Sequence, residues 1–140
     1  MGSVLRVRDV MTREPKTLGR NDQLSLADDL MQQERIRHLP VLDEDGRLTG
    51  VLSRRDVFRG ALASALGYGQ HAQQRLLETL FVKDAMTPEP RTIAPDAPLA
   101  EAAELMATRK IGCLPVMQGG KLVGILTEGT FVELVARASR

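Results

Sequence analysis

The chain is written nearly twice. Val7-Arg8-Asp9-Val10-Met11-Thr12-Arg13-Glu14-Pro15-Lys16-Thr17-Leu18 is answered by Val82-Lys83-Asp84-Ala85-Met86-Thr87-Pro88-Glu89-Pro90-Arg91-Thr92-Ile93, an offset of 75 residues that holds through Val41 and Val116. A fixed offset with matching residue types marks a duplicated structural unit, and two copies suggest a pseudo-two-fold pair, because a solenoid needs about three or more.

Within the copies, Leu39-Pro40-Val41-Leu42 and Leu48-Thr49-Gly50-Val51-Leu52-Ser53 flank an Asp/Gly turn. The stretch from Leu114 to Thr130 repeats this with one residue fewer in the turn. Two short apolar runs around such a turn, followed by a hydroxyl residue, predict a β-hairpin running into a helix. Pro40 and Pro115 have no N–H for a ladder, so their strand should be an edge strand or turn its N–H side away from pairing. Ahead of each hairpin, Leu24, Ala27, Leu30 and Met31, and again Leu99, Ala102, Leu105 and Met106, follow a helical spacing, with Asn21 and Asp96 where N-caps belong. Met31 and Met106 read as core filler. After Leu52, the spacing predicts a helix over Ser53 to Leu66. Gly67-Tyr68-Gly69 breaks it, and a second helix from about Gln70, with Ala72, Leu76, Leu77, Leu80 and Phe81 on one face, bridges the copies. Each copy thus reads β-α-β-β-α, an α/β (α+β) pattern. The copies divide at 1–69 and 70–140, and each can bury a sheet face by packing against the other, as a pseudo-two-fold pair joined through the sheets with a cleft at the seam.

Composition removes several function classes. The 140 residues suffice for a real core without covalent staples. Cys113 is the one cysteine, so no intramolecular disulfide forms and a reducing, cytoplasmic setting is expected. A formal charge of +1 with acids and bases interleaved gives no large field for nucleic acid, and 3% aromatic content leaves few stacking platforms. No run approaches the roughly 20 apolar residues of a membrane span. Two histidines and one cysteine show no nucleophile–base arrangement, so an enzyme is not expected. His38 and Cys113 occupy equivalent positions, but two ligands do not make a tetrahedral metal site, and His71 has no spacing relation to them.

Ser53-Arg54-Arg55-Asp56 is the stretch best suited to chemistry. A hydroxyl at a helix start, beside unpaired N–H groups, suits a phosphate. A carboxylate one turn in can accept two hydrogen bonds from a vicinal diol, and the arginines supply charge for phosphates. The same Ser-x-x-Asp also reads as a capping box that satisfies backbone N–H groups, and one residue can serve both ends. The second copy, Thr127-Glu128-Gly129-Thr130, keeps a hydroxyl and lacks the acid and both arginines. Arg35, Arg37 and His38, and in the second copy Arg109 and Lys110, either reach phosphates or complement the preceding helix dipole.

The two Asp-x-Met-Thr segments, the two Leu-Pro-Val strands, the two Gly-apolar-Leu-Ser/Thr endings and Asp56 together resemble a tandem pair of cystathionine-β-synthase-type (CBS) domains over about Val7 to Val135. The resemblance implies a regulatory module that binds an adenosine-containing ligand, such as AMP, ADP, ATP or S-adenosylmethionine, between the repeats, with no cofactor required. By the same resemblance Ser53 and Asp56 hold ribose and phosphate, with Arg54, Arg55, Arg37, His38 and Thr127 nearby. Adenine lies against Thr17, Leu18, Ile36 and Pro40, or their counterparts Thr92, Ile93, Ile111 and Pro115. Thr130 departs from the pattern, so the Asp56 site is expected to be the occupied one. A homodimer acting on a regulated partner protein is also implied.

Overall fold

Each copy's apolar stripe packs on a sheet, but neither sheet is built from one copy alone. The computed structural model describes residues 4–65 and 77–139. In chain order these hold α1 (Val7–Val10), β1 (Thr12–Arg13), β2 (Leu18–Gly19), α2 (Leu24–Glu34), β3 (His38–Leu42), β4 (Leu48–Ser53), α3 (Arg54–Ala65), α4 (Val82–Ala85), β5 (Thr87–Pro88), α5 (Leu99–Arg109), β6 (Cys113–Gln118), β7 (Lys121–Thr127) and α6 (Glu128–Ala138). The Gly67-Tyr68-Gly69 break, most of the bridging helix and His71 lie outside the described residues.

The chain forms two compact units, one from Lys16 to Glu89, the other joining residues up to Pro15 with those from Pro90 onward. The expected division at 1–69 and 70–140 separates the two copies in sequence, and the compact units are drawn across it. The opening segment of each copy belongs with the hairpin of the other.

The Lys16–Glu89 unit has a four-stranded sheet, β2-β3-β4-β5, with β2 parallel to β3 and the remaining pairs antiparallel. Leu18, Leu24, Ala27, Met31, Leu39, Val41, Leu52, Val57 and Val82 form its core. The other unit has a three-stranded antiparallel sheet, β1-β7-β6, to which Ile93 adds one parallel bridge at Val116. Its core holds Val7, Met11, Ile93, Leu99, Ala102, Met106, Leu114, Val116 and Leu126. Met31 and Met106 are core residues, as expected from their spacing.

The Pro-bearing strand β3 is interior, flanked by β2 and β4, so of the two alternatives the edge-strand one fails for it, while β6, which carries Pro115, ends the named strands of its sheet. Pro40 is tolerated because pairing with β2 starts only beyond the proline, at Leu18 opposite Val41. In the second copy Ile93 N–H donates to Pro115 O at 3.1 Å and Met117 N–H donates to Ile93 O at 2.9 Å, so the ladder there uses the proline's carbonyl and needs no donor from it.

Asn21 and Asp96 do not cap the helices. The N-cap residues are Gln23 and Pro98, without side-chain cap bonds. The exchanged segments satisfy the first donors instead: Leu24 N–H donates to Leu80 O and Leu99 N–H to Leu5 O, each at 2.8 Å. Backbone supplied from a neighbouring segment makes a side-chain cap unnecessary.

The exchange also explains two repeated motifs together. A Cβ on Gly50 would lie 2.6 Å from Met86 Sδ and 2.8 Å from Thr87 O; one on Gly124 would lie 2.6 Å from Met11 Sδ and 3.0 Å from Thr12 O. The methionine of each Asp-x-Met-Thr segment therefore lies over the glycine of the other copy's hairpin. Only a residue without a side chain permits so close an approach.

Candidate functional site

The corner where β4 passes into α3 is assembled by backbone pairing. His38 lies opposite Ser53 in the β3–β4 register, and Arg54 N–H donates to Arg37 O at 2.8 Å. Residues separated in sequence, Arg37 and His38 from one strand and Ser53 through Asp56 from the next, are thereby brought together. Ser53 Oγ accepts the Asp56 N–H at 3.0 Å, and Asp56 Oδ2 accepts the Ser53 N–H at 2.8 Å. Both halves of the capping box are present, so the capping reading holds.

The cap uses one carboxylate oxygen. Among the described residues Asp56 Oδ1 has no hydrogen-bond partner, while its position is fixed by the cap. Ser53 and Asp56 are half-buried; Arg37, Arg54 and Arg55 are exposed and enter no ion pair among the described residues. A hydroxyl, a helix N-terminus, one available carboxylate oxygen and three arginines thus share one corner. Such a set can hold a diol beside an anion.

The residues expected against adenine divide by exposure. Thr17 is exposed just ahead of β2, and Ile36 is half-buried with its N–H donating to Met31 O at 3.1 Å. Leu18 is 3% exposed in the core and Pro40 is fully buried, so within their unit these two shape the strand and offer little side-chain surface. Thr92 is exposed, Ile111 half-buried, and Ile93 and Pro115 are buried in the same way.

The second copy reproduces the backbone of the corner with different side chains. Cys113 lies opposite Thr127, and Glu128 N–H donates to Gly112 O at 3.3 Å. Thr127 N–H donates to Thr130 Oγ1 at 3.1 Å, and the two hydroxyls stand 3.4 Å apart. Thr130 therefore takes over the cap that Asp56 makes. The signal was legible as a hydroxyl three residues after Thr127, yet its structural role was missed. Cys113 is buried, and desolvation pushes its thiol up to about 12, so it stays neutral where His38 stands in the first copy. Beside this corner a cavity of about 390 Å³ is lined by Ala103, Met106, Ala107, Ile111, Glu128 and Phe131. Thr127 and Ser53 belong to different units, as do His38 and Cys113. Among the described residues no three His, Cys, Asp or Glu side chains group as a metal site, and no helix is long and apolar enough to cross a membrane.

Comparison with known proteins gives consistent results. The family profile described as CBS domain matches twice, over residues 7–62 and 82–137. A putative acetoin utilization protein (AcuB) from Vibrio cholerae is similar in structure with a TM-score of 0.82 and 34% identity, over 98% of this chain and 94% of that one. CBSX2 of Arabidopsis thaliana, solved in complex with AMP, has a TM-score of 0.75 and 31% identity over 96% and 98% of the two chains. The CBS domain pair of MJ0100, solved with 5′-methylthioadenosine and S-adenosyl-L-methionine, has a TM-score of 0.78 and 25% identity over 97% and 99%.

Proposed function

The chain belongs to the CBS-domain family, and on that premise we propose that it is a regulatory module, not an enzyme. It binds an adenosine-containing ligand, AMP, ADP, ATP or S-adenosylmethionine, at the Ser53–Asp56 corner and passes the bound state to a partner protein. The observation that carries this reading is the capped Asp56, whose Oδ2 holds the helix start while Oδ1 has no partner among the described residues, in the corner that also carries Arg37, Arg54 and Arg55. The 2′- and 3′-hydroxyls of ribose donate to the carboxylate, and phosphates lie against the α3 N-terminus and the arginines. Thr17, Ile36 and the backbone around Leu18 and Pro40 face the base. Structures of CBSX2 with AMP and of MJ0100 with S-adenosylmethionine support the ligand class.

Regulation follows from differential affinity: a ligand that prefers one conformation shifts the population toward it. The active form is a homodimer, a reading favoured by Phe58 and Val132. These occupy corresponding positions on α3 and α6, and both are exposed, at 60% and 69%.

Thermal unfolding with adenosine, AMP, ADP, ATP, S-adenosylmethionine, NAD and GTP, for the wild type and Asp56→Ala, tests the proposal. A ligand at a hundred times its Kd adds about 2.7 kcal/mol, a shift of several degrees for a chain of this size. Adenine ligands are expected to raise the midpoint of the wild type and to leave Asp56→Ala nearly unmoved. Equal shifts in both proteins, or none in either, overturn it. Sedimentation of the same samples reads the dimer.

A further inference from the structure

The two copies build the same backbone corner, which makes their side-chain differences a controlled comparison inside one molecule. At the first corner Arg37, His38, Arg54, Arg55 and Asp56 surround Ser53. At the second, Gly112, Cys113, Glu128, Gly129 and Thr130 occupy the corresponding positions around Thr127. The frame is preserved: His38 opposite Ser53 becomes Cys113 opposite Thr127, the Arg54 N–H to Arg37 O bond becomes Glu128 N–H to Gly112 O, and the cap from residue 56 becomes the cap from residue 130. At the helix start two arginines and one carboxylate are replaced by one glutamate, and on the strand side Arg37 is replaced by Gly112, while farther back Arg109 and Lys110 stand where the first copy has Glu34 and Arg35. The buried Cys113 thiol contributes no cation.

From this we infer that Glu128, Gly129 and Thr130 are the specificity determinants that close the second corner to phosphate-bearing nucleotides, so that each chain holds one such nucleotide, at the first corner. A phosphate placed against the α6 N-terminus as at α3 would face the Glu128 carboxylate with no counterpart of Arg37, Arg54 or Arg55, Arg109 and Lys110 belonging to the end of α5 and not to the helix start. Its ribose would find the Thr130 hydroxyl already engaged in the cap and no acid to receive the diol. Like-charge opposition of this kind weakens binding by about a hundredfold. The inference deepens the proposed function and rests on that reading of the first corner.

Transplanting Arg-Arg-Asp into the second corner tests it directly. The variant Glu128→Arg/Gly129→Arg/Thr130→Asp keeps a residue able to cap at position 130. A Cβ at position 129 meets only Thr127 Oγ1, at 3.5 Å, an ordinary contact, so the helix start accepts the new side chains. Binding of AMP and ATP is measured by equilibrium dialysis on wild type, transplant, Asp56→Ala and the transplant combined with Asp56→Ala, each first checked for an unchanged circular dichroism spectrum. Should the triple variant not fold, Thr130→Asp with Glu128→Gln replaces it. The expected result is one nucleotide per wild-type chain, two per transplanted chain, and one per chain when the transplant also carries Asp56→Ala. Two nucleotides per wild-type chain, or no gain on transplantation, overturns the inference. Binding by the wild type that survives Asp56→Ala overturns the reading of the first corner instead, and no binding by any of the four proteins removes both.

Discussion

Asp56→Thr separates the two roles that Asp56 carries, because the molecule already contains the product of that substitution. At the second corner a threonine makes the same cap, with Thr127 N–H donating to Thr130 Oγ1 at 3.1 Å in place of the 2.8 Å bond from Ser53 N–H to Asp56 Oδ2. The cap in Asp56→Thr is therefore kept. What is lost is the charge-assisted part of one hydrogen bond and the carboxylate's interaction with the helix dipole, together about 1 kcal/mol of stability. Asp56→Ala removes the cap altogether and costs about 0.5–2 kcal/mol. Binding should respond differently. A ribose diol donating to the carboxylate gains about 1.5–3 kcal/mol for each bond to a charged acceptor, and a hydroxyl tied to the cap replaces at most one of them weakly. Loss of about 2 kcal/mol or more, roughly thirtyfold in Kd, is expected. Phosphate complicates the reading: a unit negative charge about 7 Å from the carboxylate is repelled by about 2 kcal/mol at an effective dielectric constant near 20, and the substitution relieves that. Calorimetric titration with adenosine isolates the diol, while urea unfolding without ligand measures the cap. If Asp56→Thr binds adenosine within threefold of wild type, the carboxylate does not grip ribose and Asp56 is a helix cap alone.

Gly50→Ala should destabilise by about 1–3 kcal/mol, because its Cβ would sit 2.8 Å from Thr87 O, a backbone atom that moves only if β5 moves; Gly124→Ala should do likewise through Thr12 O, and denaturant midpoints equal to wild type would refute the packing of each methionine over its glycine. For Cys113 the folded thiol is raised to about 12 from 9.0 by burial. Above pH 9 the unfolded chain therefore loses this proton while the folded chain keeps it, and stability falls by up to about 1.4 kcal/mol per pH unit between 9 and 12. Cys113→Ala should lack that component, so pH-dependent unfolding curves of equal slope for both proteins would contradict it.

The fold was legible where local periodicity and turn chemistry decide. The helical stripes ending in Met31 and Met106, the hairpins around Gly46 and Gly120 with φ near +80°, and the helix start after Ser53 all follow from nearest-neighbour patterns. What escaped was set by residues far apart in sequence. Asn21 and Asp96 have the chemistry of N-caps, yet Leu80 and Leu5 carbonyls arrive first, and no local rule announces a donor satisfied from a distant segment. At the site, the Ser53–Asp56 cap was legible as a short motif, and Arg37 and His38 were proposed beside it from the resemblance. Their convergence on that corner is a property of the β3–β4 register. Leu18 and Pro40 are expected beside the base from their place along the chain, and burial within their own unit leaves little side-chain surface on either.

The segment exchange gives the duplication a physical meaning. After Thr12-Arg13 pairs with β7, and again after Thr87-Pro88 pairs with β4, the chain leaves one unit for the other, and both departures occur at the same dipeptide. Glu14 and Glu89 adopt positive φ, 47° and 48°, immediately before Pro15 and Pro90. Left-handed backbone at a glutamate costs about 1 kcal/mol, and the residue before proline is further restricted. So unusual a conformation persists only when the structure on both sides fixes it, and each side belongs to a different unit here. Because β1 completes the sheet of the second hairpin and β5 that of the first, neither copy carries all of its own sheet. A fragment cut at 69/70 would leave Gly50 and Gly124 without the methionines that cover them and α2 and α5 without the carbonyls that cap them. Each copy is thus a repeat in sequence that takes one strand of its sheet from the other copy, and the chain crosses between the units at both Glu-Pro steps.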